Sequence, residues 1–356
     1  MTALRPDHLF DGHAFRPDAA LADGRIVGED GAEAIAGILS PGFLDLQVNG
    51  GGGLLFNDSP DVATARRIAA AHRAFGTVAI LPTLITDAPE KMEAALDAAR
   101  AFRLSDGLAG LHLEGPFIEE AKRGTHAAEF VRPMGDTDLR GLCDAAREIR
   151  LMVTVAPEVV GPPQIAALTE AGVIVSLGHS NCSAEEAQAA FAAGARSVTH
   201  LFNAMSQMTS RAPGLTGAAI ASGAWCGLIA DGIHAAPEML EIAIRARPVP
   251  DRMVLVSDAM ATVGGGDSFE LYGQEIRLRD GRLVNAEGNL AGAHLTVADG
   301  VAKLCAMGLP DEAVLRMATA NPAALIGLDI ANDPDWPWIL IGEDGSAHPV
   351  DRGREG

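Results

Sequence analysis

A chain of 356 residues with 48% apolar side chains is long enough for one large domain with a small satellite, and too apolar to be a disordered chain. Its formal net charge of −20 argues against a general binder of nucleic acid or of an anionic membrane, and a small anionic ligand would need a local cluster of cations or backbone N–H groups. Cys143, Cys182, Cys226 and Cys305 form no CxxC pair, no run approaches the roughly 20 apolar residues of a membrane helix, and Arg5 and Asp7 stand where a secretory leader would be apolar, so a soluble protein of the reducing cytoplasm is expected.

In chain order, residues 1–40 are poor in helix signal and are expected to join residues 329–356 in a small β-sandwich domain formed by the two chain ends. From 41 to 328 short apolar runs alternate with Ala-rich segments of helical period, the rhythm of parallel strands joined by crossover helices. The first run, 43–48, leads into glycines 50–53, a permissive loop without the spacing of a phosphate-binding fingerprint. A helix is expected over 61–75, a strand over 77–81, a helix over 89–102 and a strand over 108–113. The segment 115–135 carries Arg123, Gly124 and His126 and is long for a connecting loop, which marks it as function-bearing. Strands follow over 151–156, 173–177, 197–200, 226–230 and 253–257, with a helix over 183–193 opened by Ser183 as cap and Glu186 three residues later. Alternating residues over 268–289 around Asp280-Gly281 read as a β-hairpin inserted after the eighth strand. Eight strand and helix alternations give the α/β class and a TIM-like (β/α)8 barrel over 41–328.

Barrel enzymes carry their chemistry at the C-terminal ends of the strands. Here the first run ends in Asp45, Gln47 and Asn49, the third in Glu114, the fourth in Glu158, the fifth in His179, the sixth in His200, the seventh near His234 and the eighth in Asp258. A doubly wound open sheet would gather its site at one switch point instead of around a ring. Taken singly, Glu114 also reads as a buried structural carboxylate, His179 and His200 as satisfied core histidines, and Asp258 as a helix cap. Together, two imidazoles and one carboxylate at the same end of one barrel make the ligand set of a mononuclear metal site with an open position. Asp258 would then face the metal-bound water and could take its proton and deliver it to a leaving amine.

Nine motifs and a closing segment carry a family resemblance: PGFLDLQVNG (41–50), HLEGPF, RGTH (123–126), LGHS, THLFNAM, RAPG (211–214), DGIH (231–234), SDAM, LAGAHLTV (290–297) and ATANPAALIGL (318–328). In this order they resemble the N-acetylglucosamine-6-phosphate deacetylases, a family of the amidohydrolase superfamily. The resemblance implies that Glu114, His179 and His200 bind one divalent metal ion per subunit; zinc is the ion expected, and a two-imidazole, one-carboxylate set also accepts iron, cobalt or others. It further implies that Asp258 and His126 are catalytic, Asp258 as general base turned general acid and His126 polarising the acetyl carbonyl or holding the sugar. Asn203, the Ala204 backbone and His234 would meet the sugar phosphate. Arg211 resembles an arginine that reaches the neighbouring subunit's site, which implies a homodimer. A guanidinium with neutral donors is also what an acidic chain needs to hold a phosphomonoester.

Many amidohydrolases carry His-x-His after the first strand, where this chain has Gln47-Val48-Asn49. Amides are poor ligands beside imidazole, so a single ion is expected. Gln47 and Asn49 either orient water and neighbouring groups or simply cap the strand. The chain departs from the family over 330–350, where a G-x-I-x-x-G-x-x-A-D stretch is replaced by IANDPDWPWILIGEDGSAHPV. The expected reaction is hydrolysis of N-acetylglucosamine 6-phosphate to glucosamine 6-phosphate and acetate. Another amidohydrolase acting on a related N-acyl amino-sugar phosphate or cyclic amide, and a silent sugar-phosphate sensor, are the alternatives.

Overall fold

The computed structural model describes residues 3–350. Its centre is a sheet of eight parallel strands, Phe43–Val48, Thr77–Ile85, Leu111–Glu114, Leu151–Val155, Ile174–Leu177, Ser197–Val198, Trp225–Leu228 and Met253–Leu255, each paired with the next in chain order. The ring closes just past the eighth strand. A parallel bridge joins Val48 to Ala259, the Asp258 N–H donates to Gln47 O at 3.0 Å, and the Asn49 and Gly50 N–H groups share Ala259 O at 2.9 Å. The first five barrel strands are buried along their whole length, as parallel strands covered on both faces must be.

The interior is filled by side chains, and one layer of it is polar. His112 Nε2 lies 2.8 Å from Thr154 Oγ1, and Thr199 Oγ1 lies 2.7 Å from both Thr154 Oγ1 and Ser176 Oγ. Thr83 Oγ1 joins the layer 3.3 Å from His112 Nδ1 and accepts from the Val48 N–H at 3.0 Å. Each buried polar group here has a partner, so the layer ties several strands together at little desolvation cost. It forms the floor on which the next residues of those strands stand.

Helices such as Val62–Arg73, Pro89–Ala99 and Ala184–Ala192 cover the outside of the ring. Ser183 and Glu186 form the expected capping box, and Asp61 accepts from the Thr64 N–H at 2.8 Å at the head of the first helix. The second barrel strand runs on to Ile85, beyond the expected end at Leu81. Pro82 lacks an N–H and reads as a strand breaker, but it falls at a register irregularity where the ladder needs no donor from it. The insertion after the eighth strand is a four-stranded antiparallel sheet, Ser268–Leu271, Gln274–Arg279, Arg282–Val284 and Leu290–Ala293, where a single hairpin was expected. The extra turn is Tyr272-Gly273, whose φ values of 50° and 74° match the 49° and 76° of Asp280-Gly281. A tyrosine in the left-handed region is a poor turn signal.

The two chain ends meet in a five-stranded sheet in which Ile38–Pro41 pairs with Trp338–Ile341, flanked by His8–Phe10, Phe15–Arg16 and Ala347–Pro349. A four-stranded sheet contains Leu4–Arg5, Ala19–Ala22, Arg25–Gly28 and Glu33–Ala34. Leu9, Leu21, Leu39 and Trp338 from the two sheets form their own buried cluster. Among the described residues no helix is long and apolar enough to cross a membrane.

Candidate active site

Glu114 ends the third strand, while His179 and His200 follow the fifth and sixth by two residues each. Their ligand atoms form a triangle: Glu114 Oε1 is 2.9 Å from His200 Nε2 and 3.1 Å from His179 Nε2, and the two imidazole nitrogens are 3.1 Å apart. His179 Nδ1 lies 2.9 Å from Lys122 O, a carbonyl that can only accept, so in the neutral ring Nδ1 carries the proton and Nε2 presents a lone pair. That lone pair faces a carboxylate oxygen at hydrogen-bond distance with no hydrogen of its own to share. A cation at the centre removes the repulsion, and ligands on a tetrahedral ion with bonds near 2.0–2.1 Å stand roughly 3.3 Å apart. The donor set therefore fits one divalent ion.

Burial alone would raise Glu114, but the two imidazoles outweigh it and hold the carboxyl well below its ordinary range. Burial would likewise lower His200, and the Glu114 carboxylate outweighs it, holding the ring above its ordinary value. The backbone at these positions is unusual: His179, His200 and Asp258 have φ of 47°, 26° and 51°, and Phe202 and Ala204 are also positive. Non-glycine residues pay about 1–2 kcal/mol to sit there, and such strain gathers at functional sites.

Asp258 stands beside the triangle at the seam of the barrel. Gln47 Nε2 donates to Glu114 Oε1 at 3.0 Å and to Asp258 Oδ1 at 3.1 Å, and Asn49 Nδ2 donates to Asp258 Oδ1 at 2.7 Å. The two amides thus hold the carboxylate. Burial, and then the Glu114 charge, push the Asp258 carboxyl above its ordinary value. Below Gln47, Asp45 is fully buried and accepts the N–H groups of Gln47 at 3.1 Å and Ser257 at 3.2 Å. Burial pushes its carboxyl up to about 7.

Because the folded value of Asp45 lies above the unfolded one, its contribution to stability is present at acidic pH and is lost as pH rises through about 7. Asp45→Asn keeps an acceptor for both N–H groups and removes the titration. The variant is expected to lose less Tm than the wild type between about pH 5 and about pH 8. Parallel thermal melts across that range check it, and an equal loss would show that Asp45 stays ionised.

His126 reaches the site from the long loop after Gly115, with Nε2 4.0 Å from Glu114 Oε2. Ligand atoms of Glu114, His126 and His179 all lie within 4.8 Å of one another, so a second candidate trio overlaps the first. The triangle with His200 is the tighter of the two. Burial, followed by the neighbouring His179, pushes His126 down to about 3, so its ring is neutral. His234 Nδ1 lies 2.6 Å from Asp231 Oδ2, and Asp231 Oδ1 also accepts the N–H groups of Ile233 and His234 at 2.8 Å. The DGIH motif is thus a turn that aims one imidazole. Asn203 Nδ2 donates to His200 O and Leu201 O at 3.3 Å. Ala204 O accepts from the Ser180 N–H at 3.1 Å. Arg211 lies on an exposed loop ahead of the helix Gly214–Ala221, outside this cluster.

Two residues of the site had no sequence signal strong enough to single them out. Thr86 Oγ1 lies 2.8 Å from His126 Nδ1 and 3.1 Å from Glu114 O, and the Tyr272 hydroxyl donates to Thr86 O. The β-branched run past Pro82 could have flagged the first. Nothing local flags the second.

The amidohydrolase family model matches residues 38–331. The N-acetylgalactosamine-6-phosphate deacetylase of Shewanella sp. (strain ANA-3) is 41% identical over 321 residues, covering 87% of this chain and 80% of that protein. The N-acetylglucosamine-6-phosphate deacetylase of Haemophilus influenzae is 34% identical over 300 residues, covering 82% and 77%. Among solved structures, the N-acetylglucosamine-6-phosphate deacetylase of Pasteurella multocida is similar with a TM-score of 0.91 at 31% identity, covering 99% of this chain and 98% of that one. An Asp-to-Ala mutant of the Mycobacterium smegmatis deacetylase in complex with N-acetyl-D-glucosamine-6-phosphate is similar with a TM-score of 0.87 at 28% identity, covering 99% and 98%.

Proposed function

The chain belongs to the amidohydrolase family, and from that membership we propose that it hydrolyses the acetamide of N-acetylglucosamine 6-phosphate, giving glucosamine 6-phosphate and acetate. The observation that carries this reading is the Asp258 carboxylate, held by Gln47 and Asn49 beside the triangle of Glu114, His179 and His200. One divalent ion in that triangle would supply a Lewis acid for the acetyl carbonyl and lower the pKa of the attacking water. Asp258 takes the proton from that water and passes it to the leaving amine. His126, neutral and buried, hydrogen-bonds the carbonyl oxygen as charge develops on it. His234, Asn203 and the Ala204 backbone hold the sugar phosphate.

Zinc is the ion proposed, with iron or cobalt as alternatives for a two-imidazole, one-carboxylate set. Gln47 and Asn49 spend their amide hydrogens on carboxylates, which supports a single ion per subunit. The exposed Arg211, on a loop that also exposes 48% of Met208, supports a homodimer in which Arg211 reaches the neighbouring phosphate. Four free cysteines support a cytoplasmic location. A sugar-phosphate sensor would have no use for a carboxylate held ready for proton transfer.

The 41% identity to the Shewanella enzyme favours a second reading, in which the preferred substrate is the galacto epimer. Acetate release from the gluco phosphate, the galacto phosphate and unphosphorylated N-acetylglucosamine decides between them. Both phosphates are expected to exceed the unphosphorylated sugar in kcat/KM by roughly a hundredfold, the worth of one or two charged hydrogen bonds. The ratio of the two phosphates assigns the epimer. No turnover of either phosphate by the metal-loaded protein would overturn the deacetylase reading.

A further inference from the structure

We propose that Thr86 fixes His126 in the tautomer that carries its proton on Nε2, and so makes this imidazole a standing hydrogen-bond donor to the reacting carbonyl. The proposal deepens the deacetylase reading and rests on it. Three contacts decide the tautomer. The Thr86 backbone N–H lies 3.4 Å from His126 Nδ1 with hydrogen-bond alignment, Thr86 Oγ1 lies 2.8 Å from the same nitrogen, and Thr86 Oγ1 lies 3.1 Å from Glu114 O.

Two proton arrangements satisfy the hydroxyl. In one, His126 Nδ1–H donates to Thr86 Oγ1, which passes its own hydrogen to Glu114 O. The Thr86 backbone N–H then faces another N–H in a position only 1% exposed. In the other arrangement Nδ1 is a lone pair that accepts from both the N–H and the O–H of Thr86, and the ring proton sits on Nε2. A backbone N–H cannot rotate away as a hydroxyl can, and an orphaned buried N–H is rarer than a carbonyl with a lone pair to spare. The second arrangement is therefore the stable one.

Two consequences follow from the proton on Nε2. At 4.0 Å from Glu114 Oε2 that N–H is beyond hydrogen-bond range of the carboxylate, so it remains unspent for a substrate oxygen. Neither ring nitrogen then offers a free lone pair, which removes His126 from the candidate ion ligands. Of the two overlapping trios, the one completed by His200 remains.

Several elements converge to hold Thr86 in place. Its carbonyl accepts from the Tyr272 hydroxyl at the first turn of the inserted meander, which gives that insertion a part in the site. On the other side, a Cβ at Gly115 would stand 2.1 Å from Thr86 Oγ1, so the glycine of the HLEGPF motif is the residue that leaves room for the hydroxyl. Gly115 also has φ of +86°, which favours glycine on backbone grounds.

The test uses full-length protein loaded with zinc. Nitrogen-15 spectra of labelled histidines, assigned with His126→Gln, are expected to show His126 protonated on Nε2 and unprotonated on Nδ1 in the absence of substrate. Thr86→Val keeps the shape and removes the hydroxyl. It is expected to lower kcat roughly tenfold to a hundredfold, a fraction of the loss of a whole oxyanion donor, with KM and zinc content held. Thr86→Ser should restore most of the rate. A proton on Nδ1 of the wild-type ring would overturn the tautomer assignment, and an unchanged kcat in Thr86→Val would overturn the part given to the hydroxyl. The spectra need no turnover, so failure of the tautomer assignment is distinct from failure of the deacetylase reading.

Discussion

Asp258→Asn is expected to lower kcat by roughly a thousandfold or more while KM and the bound ion stay near their wild-type values. Asparagine has the shape of aspartate, and its Oδ1 can still accept from Gln47 Nε2 and Asn49 Nδ2, the bonds that set the orientation of the native side chain. The proposed ion site is the triangle of Glu114, His179 and His200, to which Asp258 contributes no edge. What the amide cannot do is take a proton from water and return it to an amine. Steady-state kinetics alongside metal analysis separate the outcomes. A variant within tenfold of wild type would remove Asp258 from the proton transfer, and a variant that has lost its ion would make Asp258 a ligand.

Glu114→Gln is expected to strip the ion and bring turnover to background. Replacing the carboxylate with an amide removes the anionic member of the set, and a neutral amide oxygen is a weak ligand beside two imidazoles. The shape is kept, and the polar floor below it, His112 with Thr154 and Thr199, does not involve the Glu114 side chain. The variant should therefore fold. Its Tm should no longer respond to zinc, whereas the wild-type Tm should rise with zinc by several degrees, because an ion that binds only the folded state stabilises it. A melt that still shifts with zinc, together with stoichiometric metal, would show that the ion is held elsewhere.

The ring of strands was legible because eight apolar runs recur at the spacing of strand and helix units, and because polar residues follow them at one end. Glu114, His179 and His200 stood out for that reason, and they meet within about the spacing a single ion requires. Gln47 and Asn49 were visible as residues, with orienting neighbouring groups and capping the strand left as alternatives. Their partners lie across the closure of the barrel, where Asp258 follows them by some two hundred residues. Thr86 was hidden behind Pro82, which reads as the end of a strand that in fact continues to Ile85. Tyr272 was hidden because its contact with Thr86 exists only once the inserted segment folds as a four-stranded meander and lies over the site. The positive φ of His179, His200 and Asp258 leaves no compositional mark, since none of them is glycine or a favoured turn pair. Local pattern reports strands and their ends, while contacts between distant strands decide which end residue does what.

The most direct measurement is a titration of chelator-stripped protein with zinc, following acetate release from whichever hexosamine phosphate is turned over faster. Activity should rise in proportion to zinc and level off at one equivalent per subunit, as a triangle of Glu114, His179 and His200 beside an amide-held Asp258 requires. Activity that persists in the stripped protein, that needs a second equivalent, or that never appears would contradict the account.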